Sequence, residues 1–316
     1  MQIPLATDVL LLLAAVPAAA LGGAAFLQGV VGIAAALRVP RLLVATTLAA
    51  FATSSPELTV SGLAAWSGKP GIGLGDALGS NVVNLGLVLG SALLFGPLVV
   101  DLREIRRDWL LALSVPVLTL LLALDGGLSR MDAALLLAAF TAWVAWLTRL
   151  ALSHRRHALV EAPEPTRPLE TAVAVLRMLA GLAGLLLAGR LFVIGASGIA
   201  SALGVHAYVI GATLVSAGTS LPEWVTVLLA SRRGHDDVGV GTLLGSNLFN
   251  GLAVVGLAAA IRPIPISLPE VGVAVGFGLL TLLLILPRRG VLSRRRGLAL
   301  LLAYAGFILV TGIVAA

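Results

Sequence analysis

The sequence predicts an all-α polytopic membrane protein in which ten transmembrane helices form two inverted-topology repeats of five. Three observations lead to this fold class. Of the 316 residues, 59% are hydrophobic and only 11% are charged, whereas about a quarter of the residues in soluble domains are charged. Apolar runs of about 20 residues, long enough to cross a bilayer, recur along the whole chain. A polar motif lies inside two of these runs, around Glu57 and Glu223.

Ten segments qualify as predicted spans. In chain order they are residues 8–36, 41–67, 72–98, 108–124, 130–152, 169–200, 206–231, 239–261, 268–286 and 297–315. The chain contains no cysteine, which excludes disulfides and thiolate metal sites.

The positions of lysine and arginine predict how the spans are oriented. Most of the basic residues fall in one set of alternating loops, or close to it: Arg38, Arg41, Arg103, Arg106, Arg107, Arg149, Arg155, Arg156, Arg167, Arg177, Arg232, Arg233, Arg288, Arg289, Arg294, Arg295 and Arg296. The other side has Lys69, Arg130, Arg262 and Arg190, and Arg190 is expected to snorkel outward from span six. Lys and Arg concentrate in cytoplasmic loops, so the first set of loops is predicted to be cytoplasmic. With ten spans, both termini then lie on the opposite side and face outward from the cell (plasma) membrane.

Five spans per half is an odd number, so the second half is predicted to enter the membrane upside down relative to the first. The first repeat is residues 1–152, with its ion motif at 44–90, and the second is residues 169–316, with its motif at 210–256. The polar residues 153–168 are the predicted cytoplasmic linker. Many secondary transporters use inverted repeats, with the binding site at the membrane midplane where the repeats meet.

The first phrase of the motif reads A-T-S-S-P-E at 52–57 and A-G-T-S-L-P-E at 217–223. A proline inside a span removes a backbone donor and clashes with the preceding turn, so Pro56 predicts a helix break at Thr53 to Ser55. The hydroxyls of Thr53 and Ser54 are expected to cap the new half-helix, and span seven repeats the pattern. A glutamate then lies close to mid-membrane in each repeat. A carboxylate is so costly at that depth that it indicates function by default.

The second phrase, G-S-N-x-x-N, ends at Asn84 in span three and at Asn250 in span eight. Its serine and its final asparagine are four residues apart, so each pair shares one helix face. Small-xxx-small spacing predicts close helix packing at Gly75/Gly79, Gly86/Gly90 and Gly241/Gly245. Carboxylates, amides, hydroxyls and free carbonyls are hard oxygen ligands, which suit Ca²⁺ rather than zinc or copper.

The remaining polar side chains have more ordinary interpretations. A single Ser or Thr in a membrane helix is usually a packing or capping residue. Asp76, near the outer end of span three, and Asp236 and Asp237, in a basic loop, are interpreted as solvated caps or charge balance. All four histidines fall in predicted loops: His154, His157, His206 and His235. A histidine relay inside the membrane is therefore not expected.

The two motif copies give the chain a resemblance to the sodium/calcium exchangers of the cation/calcium exchanger superfamily, in particular to their compact prokaryotic members. The resemblance implies an antiporter in which Na⁺ entering down its gradient drives Ca²⁺ out by alternating access, with spans one and six sliding across a rigid core. It implies ion ligands at Thr53, Ser54, Glu57, Ser80, Asn84, Thr219, Ser220, Glu223, Ser246 and Asn250, with carbonyls near Ala50 and Ser216 as further sodium ligands.

The chain departs from the family pattern at two positions. Ala52 stands where the other repeat has Gly218, a change expected to affect the local backbone only. These exchangers usually have aspartate where this chain has Asn250, which leaves two glutamates in the predicted site. Two carboxylates balance one Ca²⁺ or two monovalent ions, so both Na⁺ and H⁺ stay open as the coupling ion. The calcium/proton exchangers of the superfamily, with Gly-Asn before the glutamate, match less well.

The predicted function is therefore Na⁺/Ca²⁺ antiport, and an H⁺-coupled antiporter of Ca²⁺ or another divalent cation is the first alternative. A cation channel is disfavoured by the inverted repeats and the closed mid-membrane site. An intramembrane enzyme is disfavoured because the sequence has no H-E-x-x-H and no paired aspartates within its spans. The expected partners are Na⁺, Ca²⁺ and the lipid bilayer, with no cofactor and no nucleic acid, and a monomer is compatible with the sequence.

Overall fold

Long helices make up most of the computed structural model, which describes residues 5–36, 51, 53–100, 102–155, 168–232, 236–286 and 290–314. In the first half, α1 is Leu5–Ala36, α2 is Ser55–Trp66, α4 is Leu102–Leu122 and α5 is Arg130–Arg155. Helix α3 begins as Pro70–Val83, continues through a π-helical segment, Asn84–Leu89, and ends as Gly90–Phe95.

The second half repeats this order. Helix α6 is Pro168–Leu203, α8 is Leu221–Arg232, α10 is Leu268–Leu284 and α11 is Arg294–Val314. Helix α7 consists of Ala207–Ile210, the π-helical Gly211–Val215 and Ser216–Thr219. Helix α9 consists of Asp236–Phe249, the π-helical Asn250–Val254 and Val255–Ile261.

The described helices fall on the predicted spans. Helix α4 begins earlier than expected, at Leu102, and α2 covers only the later part of span 41–67 because residues 37–50 lie outside the described chain. Six described helices are long and apolar enough to cross a membrane: Leu5–Phe26, Pro70–Phe95, Arg130–Arg149, Glu170–Leu203, Gly239–Ile261 and Arg294–Val314. Ala207–Thr219 and Leu268–Leu284 are apolar but shorter.

The described surface is apolar and the interior contains polar side chains, the reverse of a soluble protein. Leu10, Leu21 and Leu309 are 63%, 72% and 65% exposed, whereas the Glu57 and Glu223 carboxylates are fully buried. A lipid surrounding explains this arrangement, because leucine on the outside then contacts acyl chains rather than water.

Glycines allow α3 and α7 to approach until their backbones touch. A Cβ at Gly75 or Gly79 would overlap the backbone of Tyr208 or Ala212 in α7. The predicted close packing is therefore confirmed at this pair. The equivalent partners of Gly241 and Gly245 would be residues 42–46, which lie outside the described chain, so close packing there stays a prediction.

Two short antiparallel strand pairs join the halves of the chain. Strand β1 (Leu98–Val99) pairs with β4 (Val291–Leu292), and β2 (Gly127–Leu128) pairs with β3 (Ile264–Pro265). Each pair takes one strand from each half, so the loops at both ends of the helices are cross-linked in the same reciprocal way.

Candidate functional site

The two motif glutamates lie in the first turns of α2 and α8, directly after a one-residue interruption of the helix at Ser54 and Ser220. The predicted break is confirmed but narrow. The backbone N–H of Leu58 bonds to the carbonyl of Ser54 at 3.1 Å, and that of Trp224 bonds to the carbonyl of Ser220 at 3.2 Å. These two carbonyls are therefore occupied, and the chain bends here rather than unwinding.

The hydroxyls at these bends do not act as helix caps, so that prediction is wrong for Ser54. Its hydroxyl instead donates to Oε1 of Glu223 at 3.5 Å. The hydroxyl of Ser220 donates in the same way to Oε1 of Glu57, at 3.4 Å. Each repeat therefore contributes a serine that contacts the glutamate of the other repeat.

A second reciprocal set connects the two phrases of the motif. The hydroxyls of Thr53 and Ser246 lie 3.3 Å apart, and those of Ser80 and Thr219 lie 3.5 Å apart. Ser246 also donates to Oε1 of Glu223 at 3.3 Å. The predicted hydroxyl and carboxylate ligands from four helical segments thus surround one buried point.

The asparagines occupy the same region but are not equally bonded. Nδ2 of Asn84 donates to Oδ1 of Asn247 at 3.0 Å, and Nδ2 of Asn247 donates to the carbonyl of Asn81 at 3.1 Å. Neither amide atom of Asn250 has a partner. Asn84 and Asn250 each begin a π-helical segment, a local widening that often marks functional sites. The bridging role of Asn81 and Asn247 was not predicted, although both residues belong to the duplicated phrase.

Several buried oxygens at this point have no hydrogen-bond donor: Oε2 of Glu57, Oε2 of Glu223, Oδ1 of Asn84 and Oδ1 of Asn250. Buried polar atoms are normally paired, and a buried charge is costly without compensation. Among the described side chains, the ion pairs are Arg107 with Asp108 and His206 with Glu270, so no basic group compensates these carboxylates. A bound cation would supply the missing partner.

Asp76 is the clearest correction to the sequence analysis. It was expected to be solvated, but its side chain is fully buried and accepts hydrogen bonds from Thr219 at 2.9 Å and from Ser61 at 3.5 Å. A signal was present in the sequence, because Asp76, Ser80 and Asn84 recur every four residues and therefore share one face of α3. The position of Asp76 near the end of the span, taken alone, indicates a solvated side chain.

Asp236, which was also set aside from the site, does lie elsewhere. Asp236 is partly exposed and accepts a hydrogen bond from the backbone N–H of Val99 at 2.8 Å. The side chain of Asp237 is outside the described part of the chain.

The carbonyl of Ser216, implied as a sodium ligand, already accepts a hydrogen bond from the backbone N–H of Ser220 at 3.1 Å. Its partner in the first repeat, Ala50, lies outside the described residues, as do Ala52 and residues 156–167 of the linker.

No three acidic or histidine side chains in the described chain are close enough to hold a metal ion by themselves. A cation at this point would need hydroxyl and amide oxygens beside the two glutamates. Both Ca²⁺ and Na⁺ accept such neutral oxygen ligands, and Ca²⁺ takes six to eight oxygens in flexible geometry. An apolar helical protein with a buried cluster of oxygen ligands belongs to the class of integral, multi-pass membrane proteins that transport ions.

Comparison with known proteins gives the family. The family described as sodium/calcium exchanger protein matches residues 7–149 and 173–312. The chain belongs to this family, and the resemblance seen in its motifs is confirmed. It is therefore a transporter of the antiporter type, associated with calcium transport.

Individual relatives agree with this assignment over nearly the full length. The chain is 34% identical over 295 residues to CaxA of Alkalimonas amylolytica, a proposed antiporter, with 89% of this chain and 91% of CaxA covered. It is 26% identical to the sodium/calcium exchanger MaX1 of Methanosarcina acetivorans, with 90% and 93% covered. The structure of the sodium-calcium exchanger NCX_Mj soaked with Na⁺ and Sr²⁺ aligns with a TM-score of 0.65 at 29% identity, covering 98% of this chain and 99% of the other.

Proposed function

We propose that the protein is a Na⁺-driven Ca²⁺ antiporter that works by alternating access. The observation that supports this most directly is the reciprocal contact of Ser54 with Glu223 and of Ser220 with Glu57. It makes the two motif copies into one shared site. A shared pair of carboxylates holds either Ca²⁺ or Na⁺, so the binding of one ion excludes the other, which is the requirement for exchange.

The ligands in this proposal are side chains from both repeats. They are Thr53, Ser54, Glu57, Ser80 and Asn84 from the first, and Thr219, Ser220, Glu223, Ser246 and Asn250 from the second. The unpaired oxygens of Glu57, Glu223 and Asn84 support direct ligation. The carbonyl of Ser216 would join as a sodium ligand only if its bond from the backbone N–H of Ser220 opened, and the carbonyl of Ala50 is proposed as its counterpart.

The ten spans are proposed to be two repeats inserted in opposite directions, with both termini outside and the linker in the cytoplasm. Two observations support this arrangement. The motif contacts are reciprocal between the halves, and so are the strand pairs β1–β4 and β2–β3. An inverted pair of repeats around a central pseudo-twofold axis produces such reciprocal contacts.

Helices α1 and α6 are the proposed moving element. They pack against each other along much of their length, and a Cβ at Gly22 in α1 would lie 2.8 Å from the backbone nitrogen of Leu185 in α6. Two helices bound this tightly to each other, on the outside of the site, can slide together across the remaining helices and open the ion site to one side at a time.

The test is ⁴⁵Ca²⁺ uptake into proteoliposomes loaded with Na⁺, compared with Na⁺-free vesicles and with vesicles under an imposed pH gradient. We expect uptake to require internal Na⁺. Uptake that follows the pH gradient alone would refute sodium coupling and support the H⁺-coupled alternative. Single-channel currents would refute alternating access.

A further inference from the structure

The buried carboxylate of Asp76 lies beside the ligand cluster and not within it. The hydroxyl of Thr219 donates to Oδ1 of Asp76 at 2.9 Å, and the same oxygen of Thr219 lies 3.5 Å from the hydroxyl of Ser80. A hydroxyl has one hydrogen and two lone pairs. With its hydrogen directed to Asp76, Thr219 presents only lone pairs to Ser80 and to a cation.

The second repeat lacks this feature, although it reproduces the other contacts. Thr53 and Ser246 are the counterparts of Thr219 and Ser80, and they lie a similar 3.3 Å apart. The position equivalent to Asp76 is Thr242, which carries no charge. The Thr219–Ser80 pair therefore has a buried carboxylate from α3 beside it, whereas the equivalent position next to Thr53 and Ser246 is a threonine.

The carboxylate of Asp76 has no basic partner among the described side chains. None of the ion pairs among described side chains involves Asp76, Glu57 or Glu223. Oε2 of each glutamate is buried and without a donor, which independently supports a bound cation at the cluster. Two glutamates balance one Ca²⁺, whereas a third buried carboxylate is stabilised by a proton or by a further cation.

We propose that Asp76 is a positioning residue that orients the Thr219 hydroxyl and favours a monovalent cation on the Thr219–Ser80 side of the site. A Na⁺ ion held there is nearer to Asp76 than a Ca²⁺ ion shared by both glutamates, so loss of the charge weakens Na⁺ more than Ca²⁺. This inference rests on the proposed exchange of Na⁺ for Ca²⁺. It places in α3 the third carboxylate that the family usually has at the position of Asn250.

The experiment measures equilibrium ⁴⁵Ca²⁺ binding to the purified full-length protein and its displacement by Na⁺. Asp76→Asn and Asp76→Thr remove the charge, and the second copies the residue of the other repeat. We expect the Na⁺ concentration for half-displacement to rise about tenfold or more, with a change of about threefold or less in Ca²⁺ affinity without Na⁺.

Two further variants separate charge from structure. Asp76→Glu is expected to keep the sodium response, and Asp76→Asn combined with Asn250→Asp is expected to restore it. Asp8→Asn is the matched control, because Asp8 is an equally buried carboxylate in α1 outside the cluster. It should leave the sodium response unchanged.

The outcomes are distinguishable. If Na⁺ does not displace Ca²⁺ from the unaltered protein, the proposed function fails, and this inference with it. If Na⁺ displaces Ca²⁺ equally well from the unaltered protein and from Asp76→Asn, only the inference is overturned. It is also overturned if both charge-removing variants fail to fold while Asp76→Glu folds, which would make Asp76 a purely structural residue.

Discussion

Replacing either motif glutamate by glutamine should remove Ca²⁺ binding almost completely, and by the same amount at Glu57 and at Glu223. Both side chains are fully buried, each has one carboxylate oxygen without a donor, and no described basic group compensates them. Removing one partner of a buried, hydrogen-bonded charge pair costs about 2–5 kcal/mol. That range corresponds to a loss of about 30-fold to 4,000-fold in affinity. Because both carboxylates are fully buried in this structure, we expect values in the upper part of the range.

The assay is titration calorimetry of Ca²⁺ binding to purified protein, followed by ⁴⁵Ca²⁺ uptake in proteoliposomes. Glutamine retains the shape and the hydrogen-bonding oxygen, so the fold should be preserved. Glu270→Gln is the control, since Glu270 is also buried but bonds to His206 at 2.6 Å, away from the site. Near-normal Ca²⁺ affinity in either glutamate variant, or a loss confined to one of them, would refute a site shared equally by the repeats.

Three further predictions test the geometry around this site. Ser54→Ala and Ser220→Ala each remove one long hydrogen bond to a glutamate, so each should weaken Ca²⁺ binding by about 2- to 10-fold. If calorimetry shows Ca²⁺ affinities of the two variants that differ by about tenfold, the reciprocal contacts are contradicted. Gly79→Ala forces a methyl group into the Ala212 backbone, at a cost of about 1–3 kcal/mol, and should lower the unfolding temperature in detergent. Gly276→Ala, at an exposed position of α10, is the control and should leave it unchanged. Equal unfolding temperatures would show that α3 and α7 do not touch. Because the chain has no cysteine, Lys69→Cys and Arg295→Cys each introduce a single thiol. A membrane-impermeant maleimide should label the first from outside intact cells and the second only after permeabilisation, and the reverse pattern would overturn the proposed orientation.

Much of the fold followed from patterns local to the sequence. The length of the apolar runs placed the helices, and Pro56 placed the bend before α2, because proline affects only its own turn. The small-xxx-small spacing at Gly75 and Gly79 indicated a close helix contact, but spacing alone does not say which helix is the partner. At Gly241 the same spacing stays a prediction, because the equivalent partner residues lie outside the described chain.

The duplicated motif also gave most of the site, since Glu57 and Glu223 are costly at mid-membrane and occupy equivalent positions. Their hydrogen-bond partners could not be derived in this way. Ser54 was expected to cap its own helix, yet it bonds to a glutamate 169 residues away. A hydroxyl satisfies either role, and only the approach of the second repeat selects between them.

The sequence by itself determined the class of protein, its family and the two phrases that carry the ligands, because hydropathy and motif spacing are properties of short segments. The tertiary structure alone decided that Thr219 donates to Asp76, that Asn250 has no partner and that the helix bends are one residue wide. The contacts at Asp76 and Asn84 join α3 to α7 and α9, both of which lie more than a hundred residues further along the chain. Their contact is set by how closely the glycine-lined helices pack, which the order of residues along one helix does not specify.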